Sequence, residues 1–328
     1  MGMVLLCVLI AVLIVLDIIA GSHALAPAHV FQALVQPDQA SPTTHLIIRE
    51  LRAPQALMAA LVGAALGLAG AEMQTVLDNP LASPFTLGVS SAAALGAVLA
   101  LALNLHIPGL PLAIALPLNA FLGGLLCAMA LDLIARRSRD PSLLILFGIA
   151  LVFSLNAVVS LIQLIISASA LQDMVFWTMG SLSRSQWPQV LIMALLLATL
   201  LPASMASAWK LTALRFGDER ALSLGVSART TRRFALLRAS LLASVAVALV
   251  GVIGFIGLMA PHMARRLFGE DHRWYLPASA CLGAIILLAA DILSRLLATT
   301  TVIPVGILTT LVGIPFFLAV LARSRRPS

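Results

Sequence analysis

Five ionisable residues fall inside otherwise apolar runs: Asp17, Glu72, Asp132, Asp291 and Arg295. A charge in such surroundings is costly and persists where it pairs, relays protons or marks a path. Asp291 and Arg295 are four residues apart, the spacing of an intrahelical ion pair. The alternative is an outward-facing Arg295 that recruits an acidic partner. Asp17 and Asp132 lie near the ends of their runs, where a carboxylate reaches water. Glu72 has no such exit, and a proton relay would use it together with Asp291. Of the six histidines, His23, His29, His45 and His106 fall between runs, and His262 follows Pro261 inside one as a packing or pore-lining residue. None has the spacing of a recognised ligand set, so no metal is assigned. The sequence contains no GxxxxGK[ST] phosphate loop, no HExxH and no GxSxG. An enzymatic reading is correspondingly weak, and ATP cannot bind here through a phosphate loop.

The longest polar segment is 210–233, KLTALRFGDERALSLGVSARTTRR. Within it Gly217 and Asp218 read as a turn and an N-cap, Glu219 to Leu224 as about one and a half helical turns, and Gly225 as a left-handed stop. A helix that short needs tertiary partners, and it cannot bury Ala221, Leu222 and Leu224 by itself. Either the segment is a solvated loop joining two apolar runs, or it is a docking element for a second, soluble protein.

The elements that carry these residues are hydrophobic. Apolar residues make up 61% of the chain and charged residues 10%, with a mean hydropathy of +1.07. A soluble domain is about half apolar and a quarter charged, so this is a polytopic membrane protein. A bilayer core needs about 20 apolar residues per helix. Ten candidate spans emerge, at 4–19, 55–77, 85–103, 111–135, 143–167, 189–209, 234–253, 255–268, 276–297 and 304–321. The eighth is the shortest and reads alternatively as a re-entrant half-helix. The first could be a signal peptide ending at Ser22-His23-Ala24, but Met1-Gly2-Met3 offers no basic residues and the span is kept as a retained helix. With both termini cytoplasmic, all but Arg49, Arg52, Arg184 and Arg295 of the 20 basic residues fall on the inner side, as the positive-inside rule requires. Trp177 and Trp187 then mark the outer boundary, Trp209 and Trp274 the inner one. The net charge of +7 therefore belongs to cytoplasmic loops and implies no nucleic acid. Cys7, Cys127 and Cys281 all sit in apolar runs and imply no disulfide framework.

Gly63, Gly67 and Gly70 line one face of the second span and allow a close helix crossing. The segment Asp78-Asn79-Pro80-Leu81-Ala82-Ser83-Pro84 reads as a stiff turn, with Ser83 as N-cap and Pro84 opening the next helix. An offset of 187 residues superposes Gly67 on Gly254, Gly70 on Gly257 and 95–97 on 282–284, a faint internal repeat of the kind transporters use.

The runs 63–97, GAALGLAGAEMQTVLDNPLASPFTLGVSSAAALGA, and 251–291, GVIGFIGLMAPHMARRLFGEDHRWYLPASACLGAIILLAAD, resemble the permease subunits of ATP-binding-cassette importers for ferric siderophores, haem and vitamin B12. The segment DERALSLG at 218–225 looks like that family's coupling loop, and PVGILTTLVGIPFF at 304–317 like its last helix. The resemblance covers nearly the whole chain as one permease domain, 1–328, and implies an all-α fold of about ten transmembrane helices in a bacterial inner membrane. It also implies a second permease subunit, identical or paralogous, and two cytoplasmic ATPase subunits docked on a coupling loop at 210–233 containing Asp218, Glu219, Arg220, Ala221, Leu222 and Gly225. ATP and Mg would bind to those ATPases, and no cofactor to this chain. A periplasmic binding protein would bring its carboxylates to arginines matching Arg52 and Arg295. The family's Arg-x-Pro-Arg reads here Arg52-Ala53-Pro54-Gln55, so the second arginine is missing and Arg49 is the substitute. Ser142 matches a position near the family's inner gate. The rival reading is an ion-coupled secondary transporter working through Glu72 and Asp291. On the importer reading Glu72→Gln leaves transport intact and Leu222→Arg uncouples it; the rival reverses the first outcome. Ferric siderophore is the favoured cargo, with haem and cobalamin sharing the same motifs.

Overall fold

Small residues decide which helices of this chain can touch. The computed structural model describes residues 1–20, 42–137, 141–297 and 303–324, and these are helical with no strand among them. In order, α1 is Gly2–Ile19, α2 Pro42–His45, and a π-helical turn over Leu46–Arg52 runs straight into α3, Ala53–Val76. Then follow α4 Val89–Leu103, α5 Leu112–Arg137, α6 Pro141–Ile165, α7 Ala168–Thr178, α8 Trp187–Ala206, α9 Ala208–Leu214 and α10 Asp218–Ser223. The chain closes with α11 Ala228–Val250, α12 Ile256–Phe268, α13 His272–Leu297 and α14 Val305–Ser324.

Helix α3 is the centre of the bundle, and Met58, Val62, Ala65, Leu68, Ala69 and Met73 on it are wholly buried. It packs on α13, α11, α12 and α8, while α4 and α5 pair beside it and α5 also leans on α11. The expected glycine face makes the central crossing. A side-chain carbon at Gly63 would collide with the backbone of Gly283, one at Gly67 with the carbonyl of Ser279, and one at Gly70 with the carbonyl of Gly257. The α4–α5 crossing repeats the device, with Gly96 against the Asn119 carbonyl and Gly123 against that of Ala92. In lipid, where apolar side chains gain nothing by leaving the solvent, such backbone proximity is what binds helices together.

Among the described residues seven helices are long and apolar enough to cross a bilayer; Val89–Leu103 and Val305–Phe316 are shorter apolar helices. The expected third and tenth spans correspond to these two, and the eighth to α12, which has only 13 residues. For the third, Ser83 Oγ accepts the backbone N–H of Thr86 at 3.2 Å and closes a local turn. The helix itself starts at Val89, after Gly88 with φ +86°, so Ser83 and Pro84 shape a turn and do not open α4. For the eighth, α11 stops at Gly251, φ +78°, and the chain resumes helix at Ile256 after Phe255, which holds φ +66°. The strain of an aromatic residue in that region is held by packing, since a side-chain carbon at Gly313 would strike the Phe255 ring. Non-helical backbone at membrane depth must be covered by protein or line a cavity. Here Gly180 and Gly306 press on Val252, and a cavity of about 320 Å³ opens beside Gly254, Thr178 and Thr310.

The Ser22-His23-Ala24 segment, His29 and the Arg139-Asp140 pair lie outside the described residues. Gly70→Val is expected to cost about 1–3 kcal/mol or more by overpacking. Gly254→Ala, whose nearest neighbour would stand 3.8 Å away, is expected to cost little. Melting curves of the two detergent-purified variants check this, and equal melting temperatures would contradict the crossing.

Candidate functional site

Two glycines isolate α10 from its neighbours. Gly217, at φ +91°, starts it, and Gly225, at φ +77°, stops it. The stop is a Schellman motif: Val226 N–H donates to the Ala221 carbonyl and Gly225 N–H to that of Leu222, both at 2.9 Å. Buried Val226 packs behind Ala221, which is itself fully buried. Leu222 and Leu224 on the other side are 70% and 50% exposed, and Glu219 and Arg220 are exposed as well. Asp218 does not serve as the N-cap, because Gly217 holds that position. Its carboxylate instead takes two bonds from Arg232 at 2.7 Å, and Arg232 Nε donates to the Val76 carbonyl at 3.0 Å.

Next to α10, the exposed rings of Trp209 and Phe216 join Thr212, Arg215, Glu270, Asp271 and Arg273 around a cleft of about 360 Å³. Arg215 pairs with Glu270 at 2.7 Å. Bonds from the Arg273 side chain and backbone hold the Asp271 carboxyl below the ordinary carboxylate range. Behind the cleft His272, wholly buried, bonds Thr75 through Nε2 at 2.8 Å and Thr212 through Nδ1 at 3.0 Å. Nothing in the spacing of His272 marks it out in the sequence. Asp132, expected to reach water, is instead buried between Arg136 and Arg233, at 2.6 and 2.9 Å. Ser142 is exposed at the start of α6.

Deeper in the bundle Glu72 is fully buried and accepts three bonds from Arg238, at 2.6, 3.0 and 3.4 Å. Arg238 also donates to Ser207 Oγ at 3.3 Å. The pair ties α3 to α11 and to the α8–α9 junction, which gives Glu72 a structural task.

At the opposite end, the expected Asp291–Arg295 pair forms and is larger than expected. Arg295 also faces the Asp17 carboxylate at 3.6 Å, and Asp17 is wholly buried, contrary to its expected contact with water. Arg52 donates to the Ile18 and Ile19 carbonyls at 2.9 and 3.0 Å, closing the C-terminus of α1. Arg52 and Arg295 are therefore turned inward, whereas Arg49 is exposed and its carbonyl accepts the Trp187 indole N–H at 3.0 Å. Gln55, at the position of the missing arginine, donates to the Ser183 carbonyl at 3.1 Å.

A family model described as the FecCD transport family matches residues 9–323. The chain belongs to the FecCD transport family. Its relatives include the Fe(3+) dicitrate transport system permease protein FecD of Escherichia coli, 39% identical over 96% of this chain and 99% of that one. Another is the hemin transport system permease protein HmuU of Yersinia pestis, 38% identical over 84% and 83%. A solved metal-chelate type ABC transporter in an inward-facing conformation superposes with a TM-score of 0.86 at 30% identity, covering 98% of both chains. This FecCD chain is thus an all-helical, multi-pass transport permease of the ABC class, whose members work with ATPase and substrate-binding partners.

Glu72→Ala, which strands the Arg238 charge, is expected to destabilise the protein by about 3–5 kcal/mol. Replacing both residues by apolar side chains of similar volume is expected to recover most of that loss. Glu72→Gln, which keeps the shape and removes the charge, is expected to lower the melting temperature as well. Unchanged melting of the Glu72→Ala variant would contradict the pair.

Proposed function

We propose that this chain is the translocation subunit of an importer for a ferric siderophore, with haem and cobalamin as cargoes of the same class. The whole of 1–328 acts as one permease domain in a bacterial inner membrane, crossing it ten times with both termini inside. It pairs with a second permease subunit, and two ATPase subunits that bind ATP and Mg grip the coupling loop at 210–233. The observation that carries this reading is the construction of α10. Ala221 and Val226 anchor a helix too short to be stable alone, and the fixed stop at Gly225 presents Leu222 and Leu224 to the outside of the molecule. An apolar pair held this way, flanked by Glu219 and Arg220, fits a groove on a soluble partner.

Closure of the ATPase dimer would move α10, and the bundle would alternate between outward and inward access. Ser142, at the start of α6, takes the place of the inner gate. A binding protein on the outer face would meet Arg49 directly and engage Arg52 and Arg295 through the rim of their ion cluster. The names of FecD and HmuU support an iron-bearing cargo. Glu72 held by Arg238 counts against the ion-coupled alternative.

Leu222→Arg is expected to weaken ATPase association by about 2 kcal/mol, roughly 30-fold, with no change in melting temperature because the side chain is exposed. Co-purification with the ATPase subunits and ATP-driven uptake of ferric dicitrate or haemin check this. Retained association would contradict the docking role of α10.

A further inference from the structure

Two of the polar links that leave the coupling segment end on the last turn of α3, whereas Arg215 reaches Glu270 and Arg229 and Arg233 reach α5. The first is Arg232, whose guanidinium grips both oxygens of Asp218, the first residue of α10, and the carbonyl of Val76. A planar fork with all its bonds directed is a stiff connector, which a flexible ammonium is not. The second is the ring of His272. Thr75 spends its hydroxyl proton on the Ala71 carbonyl at 2.8 Å, so its oxygen accepts from His272 Nε2–H at 2.8 Å. In the neutral ring Nδ1 is left as an acceptor facing the Thr212 hydroxyl at 3.0 Å, whose single proton is shared between Nδ1 and the Ala208 carbonyl, also at 3.0 Å, and the His272 backbone N–H donates to Thr212 Oγ1 at 3.2 Å. One tautomer gives both ring nitrogens a threonine partner, and a buried network of this kind holds its members in place. Thr212 is on α9, joined to α10 by three residues, and Thr75 and Val76 are adjacent at the inner end of α3.

We infer that Arg232 and His272 are positioning residues that carry displacement of the docked coupling segment to the inner end of α3, and through its glycine crossings to α13 and α12. The inference rests on the proposed ATPase docking at α10 and adds the route by which it acts. Neither residue faces the partner: His272 is wholly buried, and the Arg232 side chain is 20% exposed. Glu72–Arg238 also bridges the short helices to α3, but it reaches them at Ser207, behind α9. The two links at Thr75 and Val76 are the ones that start on α9 and α10 themselves.

The test uses the complex of this chain with its ATPase and binding-protein partners in proteoliposomes. The measured quantity is the ratio of ATP hydrolysis rates with and without the binding protein, a readout that must cross the membrane and that stability alone does not move. Thr212→Val, which keeps the shape and removes the hydroxyl, and Arg232→Lys, which keeps the charge and removes the fork, are each expected to lower the ratio roughly two- to fivefold. The double variant is expected to bring it to about one, with the ATPase still associated. Thr212→Ser, which restores the hydroxyl, should return the ratio to that of the unaltered chain. An unchanged ratio in the double variant overturns the inference, and so does loss of the ATPase from either single variant, which would make these residues part of the docking surface. Leu222→Arg in the same assay separates the two levels: if it retains a bound, stimulated ATPase, the docking reading itself fails.

Discussion

The close crossing of α3 with α13 and α12 is the constraint on which the rest of this bundle depends. Apolar side chains facing lipid gain nothing from changing neighbours, so helices in a bilayer hold each other by surface fit and backbone proximity. At Gly63, Gly67, Gly70, Gly257 and Gly283 the chain gives up side chains altogether and brings carbonyls against α-carbons. This geometry fixes α3 at the centre and leaves α6 and α8 largely on the outside, where Leu146, Phe153, Leu191 and Leu195 are exposed.

Charges follow from that frame. Three buried carboxylates in the described bundle have a partner on another helix, Glu72 with Arg238, Asp132 with Arg233 and Asp17 with Arg295, while Asp291 pairs with Arg295 on its own helix. These contacts lower the cost of ions in a low-dielectric surround and fix the register of helices that apolar packing alone would allow to slide. Two of the three lie at the end of the bundle that carries the α9–α10 segment.

Much of this was legible in the sequence, and the reasons are local. The glycine face of α3, the Asp291–Arg295 spacing and the Gly225 stop depend on residues within a few positions of each other, and each appears in the structure. What could not be read depends on contacts between distant residues. Glu72 and Arg238 are 166 residues apart, and Asp17 and Arg295 are 278 apart. Asp17 therefore reads as a span-end carboxylate in contact with water when it is in fact buried. His272 is another such case, since its threonine partners lie 60 and 197 residues away. The short helices α7 and α9 were hidden for a different reason: their apolar residues continue the pattern of the neighbouring spans, and only Ser167 and Ser207 mark the breaks. Asp218 reads as an N-cap because aspartate is preferred there, whereas in the structure Gly217 takes that place and the Asp218 carboxylate bonds Arg232.

The side of the membrane on which α10 lies is the decisive question, because docking, force transmission and orientation all rest on it. A Leu222→Cys variant, with Cys7, Cys127 and Cys281 replaced by serine or alanine, can be treated with a membrane-impermeant maleimide in intact cells and in inside-out vesicles. Labelling only in the inside-out vesicles, and protection there when the ATPase subunits are bound, is the expected result. Labelling from outside intact cells would place α10 on the wrong face and contradict the importer mechanism at its root.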